Sequence, residues 1–168
     1  MAKRISLREY QQGVVERLKT ATATAQVDAR LGVRIGTDNW LIDLADVAEV
    51  MPVPVVSSVP LAQPWFRGVA NIRGNLVSVS DASAFFGGPD LQTSQAARLM
   101  LLHPRHILHS AILVERMLGL KHLADLQQDD APHPRASSSW RDAGGQRWFA
   151  LDVAALAVDP AFLQAGTV

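Results

Sequence analysis

The chain has 168 residues, 48% of them hydrophobic, which is enough for one ordinary domain or two small subdomains that share a core. Its 16 basic and 16 acidic residues give a net charge of zero at pH 7. Because phosphate contacts supply most nucleic-acid affinity, a neutral chain without a basic stripe argues against nucleic-acid binding. The lack of Cys excludes disulfides, thiolate zinc sites and cysteine nucleophiles.

Hydropathy gives no sign of a membrane segment. The N-terminal stretch lacks the apolar core of a signal peptide, and no uninterrupted apolar run approaches the length that spans a bilayer. We therefore expect a cytoplasmic protein with no direct membrane insertion. Binding to membrane-associated partners is compatible with this expectation.

The N-terminal residues 1–26 carry the clearest helical pattern. Ser6 and Glu9 fit a capping box, in which each side chain bonds an otherwise unpaired backbone N–H. Apolar residues then recur at steps of three and four: Leu7, Tyr10, Val14, Leu18, Ala21 and Ala25. This pattern predicts an amphipathic helix over 6–25, which either packs on the rest of the chain or docks another protein. The predicted domains are 1–26 and 27–168.

Beyond the helix, the pattern changes to short β-type segments. Residues 31–35 and 40–42 flank a turn-rich tetrapeptide and predict a hairpin, with Gly32 marking a bulge. Residues 43–51 indicate a short helical turn. Four prolines predict extended chain or loop over 52–64.

The stretch 65–86 contains two β-type runs, 69–73 and 76–79, joined at Gly74-Asn75. Glycine tolerates positive φ and Asn does so better than most residues, so the pair suits a tight hairpin turn. The same stretch is expected to continue into a short helix capped by Asp81.

Alternation along the first run places Asn71 and Arg73 on one face, together with Val69. Two interpretations are equally supported by this pattern. Asn71 and Arg73 form a binding surface, or Asn71 caps the turn while Arg73 is a solvated charge. Trp65 and Phe66 directly precede the strand and could add an apolar rim, because aromatic and Arg side chains dominate interface hot spots.

The second half of the chain repeats the combination of hairpins and short helices. Residues 98–102 and 107–114 predict one hairpin, and 140–143 with 146–151 predict another around Gly144-Gly145. Residues 115–126 are ambiguous between strand and helix, and 127–139 are expected to form a flexible loop. Asp152 and Asp159 are expected to cap two short helices. The hairpin count favours small β-barrels over a parallel α/β sheet.

Candidate catalytic and metal chemistry is weak. The histidines His103, His106 and His109 invite a metal site, yet their spacing alternates on a strand and Pro104 interrupts a helix. The chain has no nucleophile elbow around a serine and no phosphate-cradling glycine motif. We therefore expect a protein that is not an enzyme and holds no cofactor or metal.

An ordered motif covers the chain from Trp40 to Phe86. It combines an aromatic-apolar strand, a V-x-E-V element, a P-x-x-F-x-G-V-x-N-x-R-G segment and a following V-x-D. About 15 positions match in order, and also in spacing except that one residue rather than two separates Pro64 from Phe66: Trp40, Leu41, Ile42, Val47, Glu49, Val50, Pro64, Phe66, Gly68, Val69, Asn71, Arg73, Gly74, Val79 and Asp81. On these residues the chain resembles the CheW-like domain of bacterial chemosensory systems.

The resemblance implies a fold, a function and partners. The fold is mostly β, with two intertwined, small five-stranded β-barrels and a short C-terminal helix. The function is that of a non-catalytic adaptor coupling the cytoplasmic tip of a chemoreceptor to a CheA-type histidine kinase. The receptor-facing groove would involve Asn71 and Arg73, with Gly68 and Gly74 shaping the backbone.

Some residues depart from the family pattern. Ser78 stands where the family usually has Pro, and Ala82 where it usually has Leu. Together with the extra N-terminal helix and residues 113–120, these features resemble the PilI-type variant, which serves type IV pilus twitching motility. A general flagellar chemotaxis role and a nucleic-acid-binding small barrel are the alternative hypotheses, and a metal-dependent hydrolase built on the histidines is a further one.

Overall fold

The computed structural model describes Gln11 and residues 28–167. The predicted helix over 6–25, and with it the domain 1–26, lies outside the described residues except for Gln11. The described strands are β1 Ala29–Ile35, β2 Asp38–Asp43, β3 Val47–Pro52, β4 Phe66–Ile72, β5 Asn75–Asp81, β6 Arg98–Leu102, β7 Ser110–Val114, β8 Arg116–His122, β9 Gln127–Asp129, β10 Ala136–Arg141 and β11 Arg147–Leu151.

The strands form two sheets that are interleaved along the chain. The first sheet has the order β8-β1-β2-β11-β10-β9, and the second has the order β3-β6-β7-β5-β4. The second sheet is thus inserted between two parts of the first, and β11 pairs with β2 in parallel to join those parts. The mostly-β class is confirmed, and the short β9 gives the first sheet a sixth strand beyond the expected five.

Three short α-helices and two 3-10 turns complete the described chain. The helices are α1 Ala82–Phe85, α2 Val153–Ala157 and α3 Pro160–Leu163, and the 3-10 turns are Leu44–Asp46 and Leu123–Asp125. Each helix begins after an Asp whose carboxylate accepts a backbone N–H of the first turn, as predicted for Asp81, Asp152 and Asp159. Over the described residues, no helix is long and apolar enough to cross a membrane.

Apolar side chains form three clusters. The largest contains residues of both sheets and of the C-terminal helices, among them Trp40, Ile42, Met100 and Ile112. A second cluster fills the inside of the second sheet, and a third lies within the first sheet around Leu41. The alternation of apolar residues along the strands produces this separation, because successive side chains point to opposite faces.

Several predicted elements are confirmed. The hairpin of β1 and β2 forms, and its pairing with β8 shifts register at Gly32, where a bulge was expected. The strands β6 and β7 pair as predicted, although β7 begins at Ser110 rather than at residue 107. Gly144-Gly145 links β10 to β11 within a connection that runs from 142 to 146.

Three local predictions are wrong. Residues 47–51 belong to strand β3 rather than to a helical turn, because they pair with β6. Most of the expected loop 127–139 is strand, since β9 and β10 pair with each other across it. The central turn lies at Arg73-Gly74 instead of Gly74-Asn75, because Asn75 already pairs with Ile72.

A backbone strap crosses β4 at Gly68. Ser57, in the loop after β3, exchanges two backbone hydrogen bonds with Val69 at 2.8 and 2.9 Å. Gly68 has φ +133°, and a Cβ atom added there would lie 1.9 Å from the Ser57 carbonyl oxygen. Only glycine allows this approach, which brings the segment leaving β3 against the other edge of the same sheet.

Asp81 is a buried carboxylate at the end of β5, with no exposed side-chain surface. It accepts hydrogen bonds from Arg67 Nη2 at 2.9 Å, from Leu91 N–H at 2.8 Å and from Ala84 N–H at 3.1 Å. These donors replace the water that a carboxylate loses on burial. Asp81 therefore joins β4, β5, α1 and the loop beyond α1.

His133 lies in an aromatic cage on the first sheet. Its ring centroid is 4.7 Å from that of Trp40 and 4.9 Å from that of Phe149. Burial lowers the pKa of His133, the nearby Arg135 lowers it further, and Asp38 opposes both. The neutral imidazole also accepts the Arg135 backbone N–H through Nδ1 at 3.1 Å.

We predict that Gly68→Ala lowers the free energy of unfolding by about 2–4 kcal/mol, because the new methyl group meets the Ser57 backbone. Gly74→Ala also has to adopt positive φ but meets no atom within 4 Å, so it should cost about 1 kcal/mol. Gly166→Ala, with neither problem, is the control. Urea unfolding measures all three, and equal costs at Gly68 and Gly74 would contradict the strap.

We predict that His133→Gln reduces the loss of stability on acidification. The folded-state pKa of His133 lies below its ordinary value of 6.5, so the unfolded chain binds the proton first. The free energy of unfolding should therefore fall as pH drops through 6.5 towards the folded pKa. Urea unfolding at about pH 8 and pH 5 measures this loss. The exposed His122→Gln is the control, and it should keep the full loss of the unmodified chain.

Candidate functional site

The β4–β5 hairpin ends in a two-residue turn with an unusual backbone. Arg73 has φ +51° and Gly74 has φ +83°, so both central residues are left-handed, as a mirror-image hairpin turn requires. Asn71 Oδ1 accepts the Gly74 N–H at 2.9 Å. The amide of Asn71 therefore stabilises the turn that holds Arg73, which fits the turn-capping interpretation of this residue.

Arg73 forms an ion pair across the second sheet. Its Nη2 lies 2.6 Å from Glu49 Oε1, and Glu49 belongs to β3. Since β3 and β4 are the two edges of that sheet, the pair and the Ser57 strap bring the edges together and curl the sheet into a barrel. The Arg73 side chain is 74% exposed, so its guanidinium keeps donors on the solvent side.

Two large apolar side chains are exposed at the same end of the second sheet. Leu76 pairs with Asn71 across the hairpin and is 66% exposed. Leu108 is 67% exposed. It lies two residues before Ser110, and Leu76 lies two residues before Ser78. Ser78 and Ser110 are register partners in the parallel pairing of β5 with β7, so the two leucines lie at the same end of the sheet. We call this set the hairpin surface: Asn71, Arg73, Gly74, Leu76 and Leu108.

The other predicted site residues do not join the hairpin surface. Trp65 and Phe66 lie at the opposite end of β4, about 20 Å along the strand from Arg73. The Trp65 ring stacks on Phe162 at 5.8 Å and meets Phe85 edge-on at 4.9 Å, so Trp65 packs between α3 and α1. Gly68 and Val69 hold the Ser57 strap. The structure thus divides the predicted set into an exposed end and a packed end.

His103 and His106 lie in one turn beside Asp46, whereas His109 directly precedes β7. His106 Nε2 lies 2.7 Å from Asp46 Oδ1, which Arg105 Nη2 also contacts at 2.7 Å. His109 has φ +50°, and its carbonyl accepts the Ser78 N–H at 2.9 Å. Among the described residues, no three His, Asp or Glu side chains come together as a metal site.

The sequence prediction of the site omitted Glu49, Leu76 and Leu108. Glu49 was available as a motif position, but its partner Arg73 lies 24 residues away, in the β4–β5 turn. Leu76 could have been found by alternation, because it faces opposite to the buried Val77. Leu108 carried no sequence signal, because the sequence predicted it within a strand and the structure places it in the turn before Ser110.

Comparison with known proteins agrees with the architecture. A family model described as "CheW-like domain" matches residues 30–161, which is most of the chain. Protein PilI of Pseudomonas aeruginosa is 27% identical over 92 residues, which cover 55% of this chain. The chain matches about half (51%) of the length of that relative.

A solved structure has the same fold. The crystal structure of the scaffolding protein TtCheW from Thermoanaerobacter tengcongensis aligns with a TM-score of 0.66 at 14% identity. The alignment covers 80% of this chain and 94% of that protein. At 14% identity, this alignment shows that the two folds are alike and nothing about function. The family model, by contrast, matches the sequence over both sheets. The chain therefore belongs to the CheW-like domain family.

Proposed function

We propose that this chain is a non-catalytic adaptor that couples a chemoreceptor to a CheA-type histidine kinase. The observation that carries the proposal is the CheW-like match over residues 30–161, which includes both sheets and the hairpin surface. The protein acts in the cytoplasm at membrane-associated receptor arrays, and it needs no cofactor. Its work is binding, so its chemistry lies in exposed side chains.

The hairpin surface is the proposed receptor contact. Arg73 offers charged donors, and Leu76 and Leu108 offer apolar area with 66% and 67% exposure. A centre of apolar side chains beside an Arg is the composition of a protein-binding hot spot. The strap at Gly68 and the ion pair to Glu49 hold this end of the sheet in place, which lowers the entropy lost on binding.

The pathway we propose is the type IV pilus system that drives twitching motility. Two features support it: the similarity to Protein PilI over 92 residues, and the PilI-like departures at Ser78 and Ala82. A role in flagellar chemotaxis is the competing outcome. Deleting the gene in the native organism and comparing twitching with swimming separates the two.

We predict that Arg73→Glu weakens binding to the receptor fragment by about 30-fold, which corresponds to about 2 kcal/mol. Isothermal titration with the purified receptor fragment measures the affinity, and kinase autophosphorylation in the three-component mixture measures coupling. An exposed ion pair contributes about 0–1 kcal/mol, so the fold should survive.

The double variant Arg73→Glu with Glu49→Arg is the matched control for this prediction. It reverses the ion pair and so restores the contact between β3 and the hairpin turn. We expect it to recover stability without recovering receptor affinity. Full recovery of affinity would show that Arg73 acts through the barrel rather than at the interface, and unchanged affinity in Arg73→Glu would remove the proposed contact.

We predict that Leu76→Asp weakens receptor binding by about tenfold or more, because a charge replaces exposed apolar area on the hairpin surface. Leu120→Asp is the matched control, since Leu120 is 56% exposed on β8 of the first sheet. Both variants should unfold at the same urea concentration as the unmodified chain. Equal effects on binding would place the contact elsewhere.

A further inference from the structure

A second concave surface lies on the first sheet, away from the hairpin surface. It has a volume of about 300 Å³. Its lining includes the apolar side chains of Leu41, Leu123 and Trp140, which we call its floor, and the acidic side chains of Asp43, Asp46 and Asp152, which we call its rim. We call these six residues the first-sheet cleft. Leu123 and Trp140 are only half-buried, so the floor keeps apolar area that a docked side chain could cover.

The rim of the cleft is acidic. Asp46 is engaged by Arg105 at 2.7 Å, and Arg30 lies 3.9 Å from Asp43. Asp152 is the cap of α2, where its carboxylate accepts the Ala155 backbone N–H at 3.0 Å. The three carboxylates thus face two arginines, Arg30 and Arg105, which leaves one negative charge in excess at the cleft. A basic occupant fits this rim.

Residues 1–27 have the opposite charge, as read from their sequence. They contain five basic residues and two acidic ones, a net charge of +3, whereas the remainder of the chain carries −3. They also contain the apolar stripe that includes Val14 and Leu18. This stretch precedes the part of the chain that the CheW-like family model matches.

The described chain begins beside the cleft. Ala29 is the first residue of β1, and its neighbour Arg30 lines the cleft. Residues 1–27 are therefore joined to the structure at the rim of the cleft itself. A short tether of this kind gives an effective concentration in the millimolar range, so even a weak contact is occupied.

We propose that the N-terminal apolar stripe docks in the first-sheet cleft of the same chain. Val14 and Leu18 cover the floor at Leu123 and Trp140, and the basic residues of the segment face the acidic rim. The occupant is this segment rather than a partner protein, because the segment combines an apolar stripe, a matching charge and attachment at the rim. The inference is independent of the proposed receptor contact.

Engineered disulfides test the docking, because the chain has no Cys of its own. The full-length variant Leu18→Cys with Ala154→Cys places one thiol on the stripe and one on an exposed residue of the cleft lining. The variant Leu18→Cys with Leu76→Cys places the second thiol on the second sheet instead. Air oxidation followed by non-reducing electrophoresis measures the intramolecular cross-link.

We expect the Ala154 pair to form the monomeric cross-link at least about fivefold more than the Leu76 pair, because a disulfide needs its Cα atoms within about 7 Å. Adding Val14→Asp should lower the yield about tenfold, whereas Gln12→Asp, off the stripe, should change it less than about twofold. Unfolding midpoints verify that each variant is folded.

Three results would overturn the proposal. Equal yields from the two pairs would mean that the segment does not prefer the cleft. A cross-link that appears only in dimers would assign the cleft to the segment of a second copy. An unchanged yield with Val14→Asp would mean that the stripe does not make the contact.

Discussion

The carboxylate of Asp81 determines how the hairpin surface is presented. It is fully buried and receives donors from Arg67, Ala84 and Leu91, which belong to β4, α1 and the following loop. A buried charge without such donors is costly, so the Asp81 carboxylate holds these three elements together. The end of β5 is anchored in this way, and the opposite end of the hairpin is left to carry exposed groups.

The two interpretations of Asn71 and Arg73 describe different tasks at one turn. Asn71 serves the backbone, since its amide oxygen accepts the Gly74 N–H. Arg73 forms an ion pair with Glu49 that helps to close the barrel, while most of its side chain stays exposed to solvent. An exposed ion pair adds little to stability, so the side chain remains available to a partner at small energetic cost. A structural role and a binding role are compatible in this residue.

The fold could be predicted further than the site. The helix caps at Asp81, Asp152 and Asp159 and the ordered motif depend on local residues, and these predictions are confirmed. The central hairpin was also found from local residues, but its turn was placed one residue too late. Strand β3 and most of 127–139 were misassigned because their structure depends on pairing with distant strands. The hairpin surface depends on how two edges of a sheet meet, and periodicity along one strand contains no information on that.

The parallel pairing of β11 with β2 also affects the order in which the chain can assemble. Phe149 must find Trp40, about 110 residues earlier, before the first sheet is complete. The second sheet, by contrast, uses one contiguous stretch from Val47 to Val114. During synthesis it can close before β11 leaves the ribosome. The first sheet is then completed against a second sheet that is already folded. The pairing of β11 with β2 is therefore the step that completes the fold.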